Sequence, residues 1–288
     1  MRSAVFEVLE PGSLSTLQDL GRAGHMSRGV GVSGAADRSS LRLANRLVGN
    51  KEAAVCIEVT FGGLVMRAGG AATVAVTGAH AQVRRNGRLE GSHSAIRLVA
   101  GDLLSIGQPS AGLRSYVAVR GGFRAERVLG SAATDSLSGL GPLPLKAGTL
   151  IPVDPTSSDW PAVDFAPERA DRFDGTVELG LCLGPRDDWF TQASVVRLLT
   201  EPWLVTSESN RVGMRLDGTA LERSRDGELL SEGVALGSVQ VPTHGQPILF
   251  LADHPVTGGY PVVGVVRDAD VDRAAQARPG QLVRFRRC

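Results

Sequence analysis

The chain has 288 residues, of which 42% are hydrophobic and 21% charged, and its formal net charge is +1. This length allows two domains of ordinary size, and this composition excludes a disordered chain. A charge so close to zero gives no indication of a nucleic acid or an acidic membrane surface as partner. Without a leader pattern or an apolar run long enough to cross a bilayer, the sequence predicts a cytoplasmic protein.

In chain order the pattern is one of short aliphatic segments separated by glycine, proline and Asx turns, which predicts a mainly β fold of barrels or sandwiches. The predicted strands cover residues 73–77, 95–99, 102–106, 114–119, 149–153, 176–183, 234–241, 247–252, 262–267 and 281–286. Three segments have helical periodicity instead, namely 36–48, 187–199 and 270–277. Each is expected to be a short helix that closes a barrel.

Residues 154–174 are rich in proline, aspartate and serine and lack periodicity, which is typical of an interdomain linker. The sequence therefore predicts an N-terminal domain over 1–155, a linker over 156–174 and a C-terminal domain over 175–288.

The three cysteines, Cys56, Cys182 and Cys288, lie far apart in the sequence, and none belongs to a CxxC pair. This spacing indicates neither a zinc site nor a disulfide framework, so free thiols in a reducing compartment and no bound metal are expected.

Polar residues in the loops of the first half are the first candidates for chemistry. Gln18, Asp19 and Arg22 lie within five residues, and Arg22 is suited to bind a carboxylate or phosphate, or else to pair with Asp19 or Asp37 and brace its loop. Asp37 opens the first helix and either caps it or borders an anion site. Glu58 precedes a glycine pair, and the alternative to a functional role is a buried carboxylate paired with an arginine.

Polar residues of the second half form a comparable set. Gln240 and Gln246 are suited to recognise an amide, while Glu232, His244 and Asp253 are candidates for proton transfer.

The segment that follows Asp253 is the most informative one. Thr257, Gly258, Gly259 and Tyr260 form a turn in which two glycines are able to adopt positive φ and expose backbone N–H groups to an anion. The alternative is a hairpin turn in which Asp253 accepts hydrogen bonds from local backbone N–H groups.

Several of these segments match one family in order, among them QDLGR at 18–22 and TGGYP at 257–261. The other matching segments are 33–37, 43–50, 58–63, 119–122, 130–135, 209–216, 229–233, 237–242 and 245–248. The chain resembles the biotin-dependent carboxyltransferase-like family, whose members include allophanate hydrolase subunit 2, the C subunit of bacterial 5-oxoprolinase and the KipA antagonist of a sporulation-kinase inhibitor.

This resemblance implies two cyclophilin-like β-barrel domains and an active site built with a partner protein, which is allophanate hydrolase subunit 1 or the B subunit of 5-oxoprolinase. A third protein joins the complex in 5-oxoprolinases. The resemblance also implies a small amide or lactam as substrate, and ATP with Mg²⁺ held mainly by, or shared with, the partner.

The expected function is that of a 5-oxoprolinase component. One alternative is carboxyl transfer to urea, with biotin carried by another polypeptide because no biotin-accepting lysine motif is present. The other alternative is a purely regulatory partner role.

Within this family chemistry, charge that develops on an amide oxygen needs stabilisation. Arg22 and the backbone of Gly258 and Gly259 are the hypothesised donors. Gln240 and Gln246 are expected to orient the amide, with Asp253 or Glu232 as general base.

Overall fold

The computed structural model describes residues 5–155, 160–167, 173, 175–225, 227 and 229–288. In these residues three α-helices occur, α1 (Arg38–Leu47), α2 (Gln192–Thr200) and α3 (Asp268–Ala274). The strands of the first half are β1 (Val5–Pro11), β2 (Leu14–Gln18), β3 (Cys56–Thr60), β4 (Leu64–Ala68), β5 (Ala72–His80), β6 (Val83–Arg85), β7 (Arg88–Glu90), β8 (Ala95–Leu98), β9 (Leu103–Ile106), β10 (Ala111–Val119) and β11 (Leu150–Pro152). Those of the second half are β12 (Val177–Leu183), β13 (Trp203–Val205), β14 (Gly213–Asp217), β15 (Glu232–Gly233), β16 (Ser238–Gln240), β17 (Ile248–Phe250), β18 (Thr257–Gly258), β19 (Val262–Val266) and β20 (Leu282–Arg287).

The chain divides into two compact units that do not follow the sequence order. Unit 1 consists of residues 1–22, 37–135 and 139–172, and unit 2 of residues 23–36, 136–138 and 173–288. Segments 23–36 and 136–138 of the predicted N-terminal domain thus belong to unit 2. Part of the predicted linker belongs to unit 1, where the amide of Ala95 donates to the carbonyl of Asp164. The rest of that linker, 156–159, 168–172 and 174, lies outside the described residues.

Unit 1 contains two sheets around one core. The six-stranded sheet has the order β11-β1-β4-β9-β6-β7, and the five-stranded sheet has the order β2-β3-β10-β5-β8. Phe6 and Met66 of the first sheet and Ile57, Val76 and Val117 of the second belong to the same buried apolar cluster. Because side chains alternate across a strand, the other face of the five-stranded sheet carries a different set of residues.

Unit 2 is a closed barrel with the order β12-β19-β16-β17-β14-β13-β20, beside which β15 and β18 form a small separate sheet. Its core contains Trp203, which is fully buried, together with aliphatic residues from the barrel strands and from α2 and α3. Closure leaves no strand edge unpaired in the ring.

The predicted mainly β class is confirmed, and every predicted strand overlaps an observed one. The predicted strand over 234–241 is wrong in its first part, because only Ser238–Gln240 is extended and paired there. The predicted helix over 187–199 is broken. Asp187–Trp189 is a 3-10 turn, and α2 begins only after Thr191, whose side chain accepts from the amide of Ser194. None of the helices in the described residues is long and apolar enough to span a membrane.

Gly78 allows β5 and β10 to approach each other closely at a register shift between the two strands. Its φ is +96°, and a Cβ atom there would lie 2.4 Å from the carbonyl oxygen of Arg114. We expect Gly78→Ala to lower the free energy of unfolding by about 3 kcal/mol, from the left-handed backbone and the forced displacement together. Urea denaturation measures this loss.

Gly101→Ala is the matched control, because Gly101 has a φ of +90° and a Cβ atom there would meet nothing within 4 Å. This variant isolates the backbone cost, about 1 kcal/mol. Equal losses for the two variants would show that the approach of β5 to β10 is not tight.

Candidate active site

The face of the five-stranded sheet that lies opposite the core carries a buried row of polar residues. Thr16 is paired with Glu58, Glu58 with Tyr116, and Tyr116 with Thr77, so the four side chains lie side by side across four strands. None is more than 2% exposed. Helix α1 packs on this face, where the Thr77 hydroxyl donates to the Ser40 carbonyl at 2.7 Å. We call Thr16, Glu58, Tyr116 and Thr77 the polar row.

Glu58 lies at the centre of the polar row, between the side chains of Tyr116 and Arg114. Its Oε2 accepts a hydrogen bond from the Tyr116 hydroxyl at 2.7 Å, and its Oε1 lies 3.6 Å from Nε of Arg114. Burial, together with the negative charges of Glu58 and Asp37, raises the pKa of Tyr116 well above its usual value. Tyr116 therefore stays a neutral donor, and Glu58 is the arginine-paired carboxylate that one of the two interpretations expected.

Asp37 is the N-cap of α1. Its Oδ1 accepts from the amide of Ser40 at 3.0 Å and from the hydroxyl of Ser39 at 2.7 Å. The amide of Asp37 donates to the Tyr116 hydroxyl at 2.7 Å, which connects the helix start to the polar row. A carboxylate at this position takes up the N–H group that an anion would need, so the capping interpretation fits the geometry better than an anion site.

Asp19, just after β2, binds residues 131 and 132 through its carboxylate. Its carboxylate accepts from the Ser131 hydroxyl at 2.5 Å, from the Ala132 amide at 2.8 Å and from the Gly21 amide at 2.8 Å. Nη1 of Arg127 lies 3.4 Å from Oδ2 of Asp19. With this many donors, Asp19 acts as a brace for the loop.

Gln18 and Arg22 hold the next residues of the same segment. Gln18 Nε2 donates to the Thr134 carbonyl at 2.9 Å, and Arg22 Nη2 donates to the Ala133 carbonyl. The carboxylate nearest to Arg22 is that of Asp135, 3.7 Å from Nη1, so the expected pairing with Asp19 or Asp37 is wrong.

Gln18 and Arg22 each keep unused hydrogen-bonding capacity although neither is more than 1% exposed. Oε1 of Gln18, and Nε and Nη1 of Arg22, have no hydrogen-bond partner among the described residues. Buried polar groups in folded proteins are nearly always paired with protein atoms, water or a ligand, which makes these atoms of Gln18 and Arg22 candidates for binding a polar molecule.

Asp253 lies in unit 2, fully enclosed by donors. Arg211 binds it with Nε to Oδ2 at 2.8 Å and Nη2 to Oδ1 at 2.9 Å. Ser33 donates to Oδ1 at 2.6 Å, and Ser136 donates to Oδ2 through its hydroxyl at 2.7 Å and its amide at 2.9 Å. We call Asp253, Arg211, Ser33 and Ser136 the Asp253 cluster.

This environment favours a structural role for Asp253. Burial by itself raises the pKa of the Asp253 carboxyl, but the charge of Arg211 and the hydrogen bonds from Arg211, Ser33 and Ser136 outweigh it and hold the pKa below its usual value. A general base at neutral pH needs the opposite shift and a lone pair that is not engaged. The expectation that Asp253 bonds the backbone of its own turn is wrong, because its partners come from distant segments.

The turn at 257–260 forms a second cluster in unit 2. Gly258 is paired with Glu232 between β18 and β15, and Gln240 Nε2 donates to the Tyr260 carbonyl at 2.8 Å. Glu232 is half-buried and pairs with Arg186, with Nε 3.0 Å from Oε2, and this hydrogen bond lowers the pKa of Glu232.

The predicted anion nest at Gly258 and Gly259 is wrong, because neither glycine has a φ in the positive range. Gly258 is required for a different reason. A Cβ atom there would lie 2.6 Å from Nε2 of Gln240. Thr257, like Gly258, is part of the two-stranded sheet.

His244 and Gln246 lie apart from both clusters of unit 2. They line a groove of about 320 Å³ together with Thr206, Arg215 and Asp217, and no residue of the Asp253 cluster or of the turn at 257–260 contributes to its lining. His244 is exposed, and Nε2 of Gln246 donates to the Gly218 carbonyl at 2.9 Å. The predicted proton-transfer residues Asp253, Glu232 and His244 therefore do not converge.

Two of the three α-helix N-termini in the described residues, those of α1 and α3, carry carboxylates that do not fit a nucleotide phosphate. Asp37 caps α1, and Asp268 and Asp270 lie in the first turn of α3, whereas α2 is capped by Thr191 and has no acidic residue in its first turn. Carboxylates at these ends oppose a second anion. Likewise, no three His, Cys, Asp or Glu side chains in the described part of the chain come together in a way that could hold a metal ion.

Sequence reasoning did not single out Arg114, Tyr116, Ser136 or Arg211 as site residues. Along β10 the run Arg114, Ser115 and Tyr116 interrupts an otherwise apolar strand, and this interruption was the available signal for a polar face.

Comparison with known proteins identifies the family. The model of the carboxyltransferase domain, subdomain A and B, matches residues 28–287. The chain belongs to this family. It is 35% identical over 287 residues to the 5-oxoprolinase C subunit of Escherichia coli (strain K12), covering 99% of this chain and 91% of the relative. The 5-oxoprolinase C subunit of Haemophilus influenzae is 31% identical, with 98% and 90% covered.

Two further relatives carry the same domain within longer chains. The urea amidolyase of Lachancea kluyveri is 31% identical over 99% of this chain, which spans 17% of that relative. The crystal structure of the urea amidolyase of K. lactis superimposes with a TM-score of 0.89 at 29% identity, covering 99% of this chain and 19% of that one. The family predicted from the sequence motifs is thereby confirmed.

The Asp253 cluster predicts a large cost for removing one charge. In Asp253→Asn the buried Arg211 guanidinium loses the charge of its bidentate carboxylate, and we expect a loss of about 3–5 kcal/mol in the free energy of unfolding at pH 7. Because the pKa of Asp253 is lowered in the folded state, its contribution is fully present above the pKa of the unfolded chain, about 3.9. This contribution is lost as the pH falls through the pKa of Asp253 in the folded protein. The difference in free energy of unfolding between wild type and variant therefore narrows only below about pH 4.

Glu178→Gln is the matched control, since Glu178 pairs with Arg286 at 2.7 Å on the surface, where both side chains are about half exposed. Solvent screening makes such a pair weak, so little change is expected. Urea unfolding between pH 3 and pH 7 compares the variants. Similar losses for both would contradict the assignment of the Asp253 cluster as a structural centre.

Proposed function

We propose that this protein is a component of an ATP-dependent 5-oxoprolinase, which opens the lactam of 5-oxoproline to give glutamate. One observation carries the proposal. The chain is 35% identical to the 5-oxoprolinase C subunit of Escherichia coli, compared with 31% for the urea amidolyase of Lachancea kluyveri. As a carboxyltransferase-domain protein similar to such components, it belongs to an amide-hydrolysing system.

Gln18 and Arg22 are the substrate-binding residues that the structure supports best. A lactam presents an N–H donor beside a carbonyl acceptor, and 5-oxoproline adds a carboxylate. The unused Oε1 of Gln18 complements the N–H, while the unused Nε and Nη1 of Arg22 complement the oxygen atoms. A guanidinium directed at the carbonyl oxygen stabilises the charge that develops there when the C–N bond is attacked.

The proton-transfer step belongs to neither Asp253 nor Glu232 in this proposal. Both carboxylates are bound by an arginine, Arg211 and Arg186 respectively, and both have lowered pKa values. His244, the last of the original three, lines a groove of unit 2 beside Gln246, whereas Gln18 and Arg22 belong to unit 1, so the proposal assigns proton transfer to none of the three.

ATP and Mg²⁺ are assigned to a partner protein similar to allophanate hydrolase subunit 1 or to the B subunit of 5-oxoprolinase, and a third protein joins the complex. The acidic residues at the starts of α1 and α3 support this assignment, because they oppose phosphate binding at those two helix ends. ATP supplies the driving force for opening the lactam. In this chain, Gln18 and Arg22 bind and orient the amide.

Carboxyl transfer to urea is the second candidate, favoured by the similarity to the urea amidolyase of K. lactis at a TM-score of 0.89. Urea also presents N–H donors beside a carbonyl, so Gln18 and Arg22 suit it equally. Biotin would then come from another polypeptide. A regulatory role without catalysis is the third candidate, and it does not require the unused hydrogen-bonding groups of Gln18 and Arg22.

The first test is 5-oxoproline-dependent ATP hydrolysis by this protein assembled with the partner proteins encoded beside it, with each component omitted in turn. Glutamate formation that disappears when this chain is left out is the expected result. A stable complex that turns over urea with carboxybiotin, or that turns over nothing, would overturn the 5-oxoprolinase proposal.

Within that complex, Gln18→Ala and Arg22→Lys test the substrate-binding role. Lysine keeps the charge of Arg22 but loses the planar fork, and alanine removes the amide of Gln18. We therefore expect kcat/KM for 5-oxoproline to fall about ten- to hundredfold in each variant. Arg67→Lys is the matched control, because Arg67 is half exposed and pairs with Glu7 at the surface. Normal assembly with unchanged kcat/KM would show that a structural water satisfies these groups instead.

A further inference from the structure

Two cysteines that lie far apart in the sequence are neighbours on the barrel of unit 2. Strands β12 and β20 run parallel, with Val177 opposite Val283 and Leu181 opposite Arg287. One step further along both strands stand Cys182 and Cys288. The amide of Cys288 donates to the carbonyl of Leu181 at 3.1 Å, so the ladder extends to this pair.

Both thiols point away from the barrel core. Leu179 and Leu181 on β12 and Phe285 on β20 are fully buried, and the alternate positions face outward. Cys182 and Cys288 occupy such alternate positions, and both are exposed. Neighbouring strands lie about 4.8 Å apart, which is within the Cα separation that a disulfide spans.

The two thiols contact each other, and the guanidinium of Arg267 lies on the same outer face of the barrel. A hydrogen bond with Cys182 raises the pKa of Cys288, followed by burial and the charge of Cys182, while the charge of Arg267 acts in the opposite direction. Arg267 lies over Gly180 on the same outer face and pairs with Asp270 at 2.9 Å. The raised pKa keeps Cys288 a thiol at neutral pH, in hydrogen-bonding contact with the sulfur of Cys182 and near the Arg267 guanidinium.

We propose that Cys182 and Cys288 form a thiol-modification site that reacts with small-molecule disulfides, of which oxidised glutathione is the probe. One cysteine thiolate attacks the glutathione disulfide, forms a mixed disulfide and releases one glutathione thiolate. The second cysteine then attacks the mixed disulfide and releases the other. In total two cysteine thiols are oxidised to one Cys182–Cys288 disulfide, and one oxidised glutathione is reduced to two glutathione molecules.

The disulfide would join the end of β20 to β12 and so fix one of the closing contacts of the barrel. A cross-link between residues so distant in the sequence restricts the unfolded chain strongly, so oxidation is expected to raise the Tm by several degrees. Cys56 is the internal control. It is fully buried, and desolvation raises its pKa strongly, so it is expected to stay reduced.

The test treats the folded protein with oxidised glutathione and follows it by intact mass and by peptide mapping without reductant. Wild type is expected to lose two hydrogens and to yield the Cys182–Cys288 peptide without retaining glutathione. Cys182→Ser and Cys288→Ser are each expected to retain one glutathione on the remaining exposed thiol. Cys56→Ser is expected to behave as wild type.

Three results would overturn the proposal. They are wild type that carries two glutathiones, wild type that cross-links between molecules, and wild type in which both exposed thiols stay reduced. Because both serine substitutions are at the surface, each variant is expected to fold, and the Tm of the reduced proteins checks this independently.

Discussion

The buried pairing of Asp253 with Arg211 is the interaction on which unit 2 depends most. Two full charges removed from water are tolerated only when each finds several partners, and here the carboxylate accepts five hydrogen bonds. Those donors come from Ser33, Ser136 and Arg211, which lie far apart in the sequence. The cluster therefore explains why the short segments 23–36 and 136–138 fold with the C-terminal half. One carboxylate holds three distant segments of the chain around itself.

The same physical rule separates braces from candidates for chemistry. Asp19, Asp37 and Asp253 each use their oxygen atoms to accept hydrogen bonds from backbone amides and hydroxyl groups, which fixes the segments that carry those donors. Gln18 and Arg22 are different, because they hold the segment 133–135 with some of their polar atoms and leave others unused. Burial without full pairing costs stability. Proteins tolerate that cost where a ligand later supplies the missing partners.

The sequence predicted those features that depend on interactions between residues close together in the chain. Strand positions and the mainly β class depend on local alternation of apolar residues, and the predicted strands overlap the observed ones for that reason. The cap of α1 by Asp37 is also local, three residues from its partner. By contrast, the partner of Arg22 is more than a hundred residues away. Local pattern carries no information about such a pair, and the sequence interpretation chose nearer carboxylates instead.

The turn at 257–260 shows why a motif alone does not define chemistry. Two adjacent glycines suggested a positive-φ nest, yet Gly258 is extended within β18, and its missing side chain makes room for the amide of Gln240. Glycine satisfies two different constraints, backbone freedom and close approach, and the sequence does not distinguish them. Because Gln240 holds the carbonyl of Tyr260, its amide nitrogen is engaged in fixing the turn. The motif in this protein thus preserves a shape, and the unused polar atoms that a lactam could satisfy lie instead in unit 1, at Gln18 and Arg22.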